Sequence, residues 1–173
     1  MRVRDAVRPD ADAIAAAHIA AWRAGYRHIF PASIFDDPDF DRSRIEMWRR
    51  WSHSPTPDRR LFVADDGSRV VGFALSGHAD EDGVDAGEVL GFYVHPDAWG
   101  SSAATLLMDA ALEHLRSLGH DRVVVWTLAD AHRARAFYSK AGVAPTGRTD
   151  TWRRYPEHPV EDLEYARDLE QVR

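Results

Sequence analysis

The 173-residue chain contains no cysteine, so disulfide bonds, thiolate metal sites and cysteine nucleophiles are all excluded. No apolar run approaches the ~20 residues that a membrane-spanning helix requires, and Met1–Asp5 lacks the apolar core of a signal peptide. Nine histidines are present, but they form no H-E-x-x-H pair and no tight cluster with carboxylates. We therefore expect a soluble, cytoplasmic protein with no metal and no membrane partner.

Negative charge exceeds positive charge along the chain. Lys and Arg number 22 against 28 Asp and Glu, and the formal net charge of -6 repels a nucleic-acid backbone. Hydrophobic residues make up 45% and charged residues 29%, which is the balance of a globular protein. At this length we expect one domain spanning residues 1–173 and no nucleic-acid partner.

Two helices are predicted after a short first strand around residues 2–7. Apolar side chains recur at helical spacing over residues 14–22, and the spacing within residues 45–51 predicts a second, short helix. Residues 25–41 contain two prolines and several aspartates, which favour an irregular connection between these helices.

The middle of the chain reads as a series of strands. Residues 60–64 and 70–75 are apolar stretches joined by a short polar segment with Gly67, a pattern typical of a β-hairpin. After a glycine-containing acidic segment, residues 88–94 form another apolar stretch that predicts a strand.

A helix and a strand alternate in the second half. Residues 102–118 follow the helical period with Ser102 as a plausible N-cap, residues 122–127 predict a strand, and residues 131–141 predict a helix. The remaining residues supply two further strands. Strand, helix and strand in this order indicate a right-handed parallel crossover, so we expect a mixed α/β sheet with helices on both faces.

The segment Tyr93–Leu107 leads from a strand through a turn of small residues into a helix. Main-chain N–H groups and the helix dipole at such a turn can bind a phosphate or pyrophosphate without any lysine. An ordinary strand-to-helix turn, in which small residues only allow close packing, is the alternative.

Three segments together resemble the GNAT superfamily of N-acetyltransferases. Residues 94–104 resemble its acetyl-CoA motif V-x-P-x-x-(Q/R)-G-x-G-x-(G/A), and residues 131–143 are similar to its second motif, N-x-R-A-x-x-F-Y-x-x-x-G-F. Residues 7–9 with 21–27 resemble the first strand and helix of bacterial members. The resemblance implies a mixed, mostly antiparallel sheet of about six or seven strands, and acetyl-CoA as the acyl donor.

The sequence departs from the two motifs at three positions. Trp99 replaces the Gln or Arg and either faces the cofactor or packs on the protein surface. Ser102 replaces the second glycine, where its hydroxyl can bind phosphate or cap the helix. Ala131 replaces the asparagine and removes a polar contact to the pantetheine arm. We expect cofactor binding to be retained.

The resemblance also implies which residues hold the cofactor, with the strand acting through its main chain. These residues are Phe92, Tyr93, Val94, Trp99, Gly100, Ser101, Ser102, Ala103, Ala104, Thr105, Ala131 and Tyr138.

Two residues are candidates for the chemistry that the resemblance implies, direct attack of an amine on a thioester. Tyr138 stands at the motif's tyrosine and can donate a proton to the departing thiolate, or it is simply a core tyrosine. Glu88 stands where many members have a carboxylate base, or it is a solvated residue at a strand end.

The acceptor is expected to be a primary amine of a small molecule or peptide. Trp22 and Tyr26 could wall its pocket together with Glu88, although helical spacing also suits core positions. Residues 152–155 could meet an anionic acceptor group or the partner subunit of a homodimer. A non-catalytic module that binds acyl-CoA or a protein partner is the alternative function.

Overall fold

The computed structural model describes residues 1–53, 58–79 and 85–169. The strands are β1 (Arg2–Asp5), β2 (Arg59–Asp65), β3 (Val70–His78), β4 (Gly87–Val94), β5 (Arg122–Leu128), β6 (Ala144–Trp152) and β7 (Val160–Asp168). The helices are α1 (Ala11–Tyr26), α2 (Ala32–Asp36), α3 (Pro38–His53), α4 (Ala103–Ser117) and α5 (His132–Lys140), with 3₁₀ turns at Arg8–Asp10 and Pro96–Ala98.

The seven strands form one sheet in the order β1-β2-β3-β4-β5-β7-β6. The pairing is antiparallel between all neighbours except β4 and β5, which run parallel because α4 crosses from one to the other. The predicted mixed, mostly antiparallel α/β sheet is confirmed, and so is the hairpin of β2 and β3.

Helices cover both faces of the sheet. Leu107 and Leu115 of α4 belong to a buried cluster with side chains of β3, β4 and β5, and α5 packs against the same cluster. On the other face, Ile14 of α1 and Trp48 of α3 pack on Leu61 and Phe73. No helix in the described ranges is long and apolar enough to cross a bilayer.

The second helix is longer than predicted. The structure has a five-residue helix α2 and then α3, which begins at Pro38 and extends for 16 residues. The prediction of an irregular connection over residues 25–41 was therefore wrong in its second half. Proline is favoured at the first helical position, because its φ angle suits the helix and its missing N–H has no partner there, so Pro38 starts a helix instead of breaking one.

Strand β4 contains an irregular register that changes which face its side chains meet. Leu75 pairs with Gly91 and Ser76 pairs with Val89, which leaves Leu90 as an extra residue. A Cβ on Gly87 would touch Leu115 of α4. If side chains alternated strictly along β4, the odd-numbered residues after Gly87 would all face α4. After the extra residue, Phe92 faces this side, where its ring stacks on Phe137 of α5 at 5.3 Å.

Gly72 on β3 leaves no room for a side chain beside β4. A Cβ there would lie 2.8 Å from the Tyr93 carbonyl oxygen, so Gly72→Ala should lower the free energy of unfolding by roughly 1–3 kcal/mol. A Cβ on Gly91 of β4 would meet its nearest atom, on Phe73, at 3.7 Å, so Gly91→Ala should change stability by less than about 1 kcal/mol. Urea unfolding measures both, and equal losses would contradict this account.

Candidate functional site

Strand β4 leaves its parallel neighbour after a short contact. Within the described residues, parallel pairing covers Gly87 and Glu88 of β4 opposite Val123 and Val124 of β5. Beyond these residues the two strands diverge, and main-chain groups on that edge of β4 need other partners. The divergence opens a gap in the sheet beside the C-terminal end of β4.

A cavity of about 600 Å³ lies at this gap, between β4, the start of α4, and α5. Most of the predicted cofactor-binding residues line it. They are Phe92, Tyr93, Val94, Trp99, Gly100, Ser101, Ala104, Thr105, Ala131 and Tyr138. Arg133, Lys140 and Arg167 add positive charge, and Asp109 one negative charge, to an otherwise mainly apolar wall. The cavity therefore suits a ligand with an apolar arm and an anionic end.

The turn before α4 contains a glycine with a positive φ angle. Gly100 has a φ of +83°, which disfavours residues with a Cβ. The Ser101 hydroxyl donates to the Ala98 carbonyl at 2.7 Å and accepts from the Ala103 N–H at 3.2 Å. Ser102 lies at the predicted N-cap position, but its side chain makes no capping bond, so of the two alternatives for its hydroxyl the structure does not show capping.

Two predicted cofactor-binding residues differ from the others in position. Ser102 is exposed and Ala103 is fully buried, and neither is among the residues that line the cavity. Ala103 belongs to the core cluster beneath α4. Because a helix turns by 100° per residue, the side chains of Ala104 and Thr105 reach the cavity while those of Ser102 and Ala103 point elsewhere.

Trp99 is held against the cavity wall by two contacts. Its indole Nε1 donates to the Val94 carbonyl oxygen at 2.8 Å, and the Arg133 guanidinium carbon lies 4.1 Å from its ring centre. Trp99 also lines the cavity. The indole therefore takes one of the main-chain acceptors at the end of β4 and presents an aromatic surface beside the N-terminus of α4.

A second cavity, of about 350 Å³, lies at the same gap. Its wall is largely aromatic and includes two of the three predicted acceptor-binding residues, Trp22 and Tyr26. Trp22 also belongs to a core cluster. It is therefore both a core residue and part of the cavity wall. The two cavities share several wall residues, which are Tyr26, Phe92, Tyr93, Ala134 and Tyr138.

Tyr138 is the polar side chain of α5 that lines both cavities. It is only 5% exposed and packs near Phe92 and Tyr165. Burial, with a smaller effect of Tyr93 and Asp162, raises the pKa of its phenol well above the usual value. The hydroxyl therefore keeps its proton at neutral pH and can act as a hydrogen-bond donor toward either cavity.

His18 of α1 adds a neutral polar group to the aromatic cavity. The Trp48 indole Nε1 donates to His18 Nδ1 at 3.0 Å, and the His18 ring centre lies 4.4 Å from that of Tyr93. Burial lowers the pKa of His18 well below its usual value, and the positive charges of Arg44 and Arg154 add to the effect. The ring is therefore neutral at neutral pH, and Nδ1 can accept the hydrogen bond from Trp48.

Asp162 of β7 lies in the wall of the aromatic cavity and was missed by sequence reasoning. It pairs with Leu128 on one side and Asp150 on the other. Burial raises the pKa of its carboxyl to about 6, a hydrogen bond from the Leu163 main-chain N–H opposes the shift, and the charge of Asp150 adds to it. The segment 160–168 contains several acidic residues, and acidic side chains in a strand usually face solvent, so no local signal distinguished Asp162.

The described part of the chain holds no group of three or more His, Asp or Glu side chains that could bind a metal ion.

The sequence profile of the Acetyltransferase (GNAT) family matches residues 19–143. This chain belongs to that family. It is 34% identical over 86 residues to a mycothiol acetyltransferase of Propionibacterium freudenreichii, a match that covers 50% of this chain and 28% of the relative. The chain spans less than a third of the length of the curated relatives it matches.

Solved structures of GNAT proteins share the fold over nearly the whole chain. The PaiA N-acetyltransferase of Thermoplasma acidophilum, in complex with coenzyme A, is 14% identical with a TM-score of 0.73, covering 96% of this chain and 98% of that one. YncA of Salmonella typhimurium, with acetyl-CoA, is 17% identical with a TM-score of 0.68, covering 100% of this chain and 96% of that one. These similarities show a common fold.

In this GNAT protein, Glu88 lines neither cavity. Among the described residues that line them, β4 contributes residues 89–94 and not Glu88. Glu88 sits where β4 is still paired on both edges, with Gly77 of β3 and Val124 of β5. The prediction that Glu88 binds the acceptor and acts as the base is not supported by this position, because the gap opens only beyond it.

His18 should contribute a share of stability that depends on pH. Because its pKa is lowered in the folded state from the ordinary ~6.5, that share is complete above about pH 6.5 and is lost as the pH falls below this value. His18→Asn cannot ionise but can accept from Trp48. The stability advantage of the wild type over His18→Asn should therefore shrink by up to about 1.4 kcal/mol per pH unit below about pH 6. Urea unfolding across this range measures it, and a constant difference would contradict it.

Proposed function

We propose that this protein transfers the acetyl group of acetyl-CoA to a primary amine of a small molecule or peptide. One observation carries the proposal: two cavities of different character meet at the gap between β4 and β5, with Tyr138 in the wall of both. Two substrates held on either side of such a gap can react directly, because binding places their reacting atoms together.

The larger cavity is the proposed donor side. Its apolar wall suits a pantetheine arm, whose amides would bind the main chain of residues 92–94, as in the GNAT motif that the sequence resembles. The first turn of α4 offers N–H groups to a pyrophosphate, and Arg133 and Lys140 supply positive charge for phosphate. Acetyl-CoA would supply the thioester whose carbonyl carbon accepts the amine.

Tyr138 is proposed as the acid that assists the departing thiolate. Its buried phenol remains protonated at neutral pH, and it stands between the donor and acceptor cavities. A free thiol has a pKa of ~8.5, so a thiolate that leaves without a donor is a costly product near pH 7. A positioned hydroxyl lowers this cost.

The comparisons support acetyl transfer at the level of the family. The family is one of acetyltransferases, and the curated relatives are named mycothiol acetyltransferase. Because the matches cover less than a third of those relatives, they do not define the acceptor of this chain. A homodimer and a cytoplasmic location stay predictions.

A non-catalytic module that binds acyl-CoA is the second candidate. It is favoured by the Trp99 indole, which occupies the Val94 carbonyl beside the proposed pantetheine site, and by Ala131, which removes a polar side chain from the cavity wall. Saturable binding of acetyl-CoA without release of free thiol in the presence of any amine would support the module over the enzyme.

Thr105 offers a test of the donor cavity, because it is exposed and lines that cavity. Thr105→Trp should fill part of the cavity and weaken acetyl-CoA binding by about tenfold or more in calorimetric titration. Leu106→Trp is the matched control, since Leu106 is 36% exposed on the same helix and does not line the cavity. Equal affinities in both variants would contradict the donor site.

Tyr138→Phe should lower kcat by roughly 100-fold while acetyl-CoA affinity changes little, because the variant loses only a proton donor. Tyr165→Phe is the matched control. Tyr165 is also buried, and its hydroxyl accepts from Arg135 Nε at 3.0 Å, but it lines neither cavity. Thiol release with an amine panel measures both rates. A similar loss in the two variants would mean that Tyr138 acts through packing alone.

A further inference from the structure

Asp162 is an acid in the aromatic wall of the acceptor cavity. Its Oδ1 is buried and has no hydrogen-bond partner within the described ranges. Aromatic side chains surround the cavity, including Trp22, Trp126 and Trp152. A carboxylate among apolar groups is costly unless a cation or several donors meet it. The Leu163 main-chain N–H donates to the carboxyl of Asp162, and the buried Oδ1 is left for a partner from outside the chain.

The carboxyl lies beside the groups that join the two cavities. The charge of Asp162 contributes to raising the pKa of both Tyr26 and Tyr138, for which burial is the larger cause. Tyr26 and Tyr138 line both cavities, whereas Asp162 lines the aromatic one. Asp162 therefore stands on the acceptor side of the gap, close to the tyrosine proposed as the acid.

We propose that Asp162 binds the ammonium group of the acceptor and takes its proton, and that the acceptor is a primary amine carried on an apolar or aromatic body. This inference rests on the proposed function and adds the class of acceptor and the base. The chemistry of the wall supports it, since a single carboxylate pairs with an ammonium while indole and phenol rings bury an apolar body. Cation–π contact with the same rings adds to the attraction for the ammonium.

The reaction balances with these two groups. The ammonium gives one proton to Asp162, and the nitrogen lone pair forms the new C–N bond to the acetyl carbon as the thioester C–S bond breaks. The electron pair goes to sulfur, which takes a proton from the Tyr138 hydroxyl. A second nitrogen proton restores Tyr138, and Asp162 releases its proton to solvent. The products are the amide, the free thiol and one proton.

The charged and titratable groups around Asp162 come from every neighbouring element. They are Asp150 on β6, Tyr26 and His18 on α1, Tyr93 on β4, Tyr138 on α5, and Arg154 in the β6–β7 connection. Asp150 opposes ionisation of Asp162, and His18 is neutral. Tyr26, Tyr93 and Tyr138 keep their protons, because burial raises the pKa of each phenol. Asp162 is therefore the group in this wall whose charge changes between about pH 5 and pH 7.

The kinetic test compares Asp162→Asn with Glu161→Gln, a change of the adjacent acidic residue, which is exposed and lines neither cavity. Asp162→Asn should lower kcat/KM for amines by about 100-fold or more at about pH 8, and Glu161→Gln should not. Wild-type kcat/KM should fall as the pH is lowered through about 6. The residual activity of Asp162→Asn should not show this decrease. Normal activity in Asp162→Asn, or a loss in Glu88→Gln alone, would overturn the proposal.

A binding test separates this inference from the proposed function. Phenethylamine is the probe and 2-phenylethanol its uncharged comparator, both titrated by calorimetry without acetyl-CoA. The wild type should bind the amine at least about tenfold more tightly than the alcohol, and Asp162→Asn should lose this preference. Equal preference in the two proteins, or no amine binding by the wild type, would overturn the role of Asp162. Amine binding without acetyl transfer would overturn the proposed function alone.

The pH dependence of folding stability distinguishes a functional role of Asp162 from a purely structural one. Because the pKa of Asp162 is raised from 3.8 to about 6 in the folded state, the wild type should lose stability relative to Asp162→Asn as the pH rises from about 4 to about 6. Asp162→Asn should then have the higher melting temperature at about pH 8. A lower melting temperature for Asp162→Asn at that pH would mean that the carboxylate serves the fold, and would overturn the proposal.

Discussion

Main-chain polar groups at the end of β4 lose their hydrogen-bond partners on the neighbouring strand where β4 departs from β5. The rest of the site depends on which groups form hydrogen bonds with them instead. A buried donor or acceptor left unpaired costs about 1–3 kcal/mol. The Trp99 indole satisfies the Val94 carbonyl from the turn that follows the strand. Other groups on this edge face a cavity, where a bound molecule with amide groups could pair with them. The opening in the sheet is thus both a structural cost and the feature that makes a binding site.

The extra residue in β4 determines which side chains of this strand face α4 and which face α1. Before Leu90, the face toward α4 carries Gly87 and Val89, and after it the same face carries Phe92. Tyr93 consequently turns toward α1, where its ring meets that of His18. Without this shift the two side chains would exchange faces. Tyr93 would then face α4 and lose its contact with the His18 ring.

The aromatic cavity and its surroundings combine buried ionisable groups that do not favour stability. An aromatic wall excludes water from Asp162, which raises the carboxyl pKa, and the same burial keeps His18 neutral. Arg44 is fully buried nearby and stacks 3.6 Å from the ring centre of Phe40. Buried ionisable groups are often found where a protein binds or transforms a ligand. They are concentrated on one side of the opening, with mostly apolar groups and exposed cations on the other.

Local patterns were sufficient for much of this protein. Periodicity predicted α1, α4, α5 and the β2–β3 hairpin, because apolar spacing follows the geometry of each element. The motif at residues 94–104 predicted one part of the larger cavity wall, the turn before α4, since residues adjacent in one turn are necessarily adjacent in space. Pro38 was misread because proline both starts and breaks helices, and the face presented by Ser102 could not be read from its type.

Only the tertiary structure decided which acid lines a cavity at the opening. Glu88 and Asp162 are both acidic residues within strands, and nothing in their neighbours along the chain distinguishes them. Strand β7 joins the sheet between β5 and β6, which brings Asp162 to the opening from a segment far from either motif. Glu88 remains in the paired part of β4. Sequence determines the elements because their forces are local, whereas strand order and register, which place a side chain at a site, depend on contacts between distant segments.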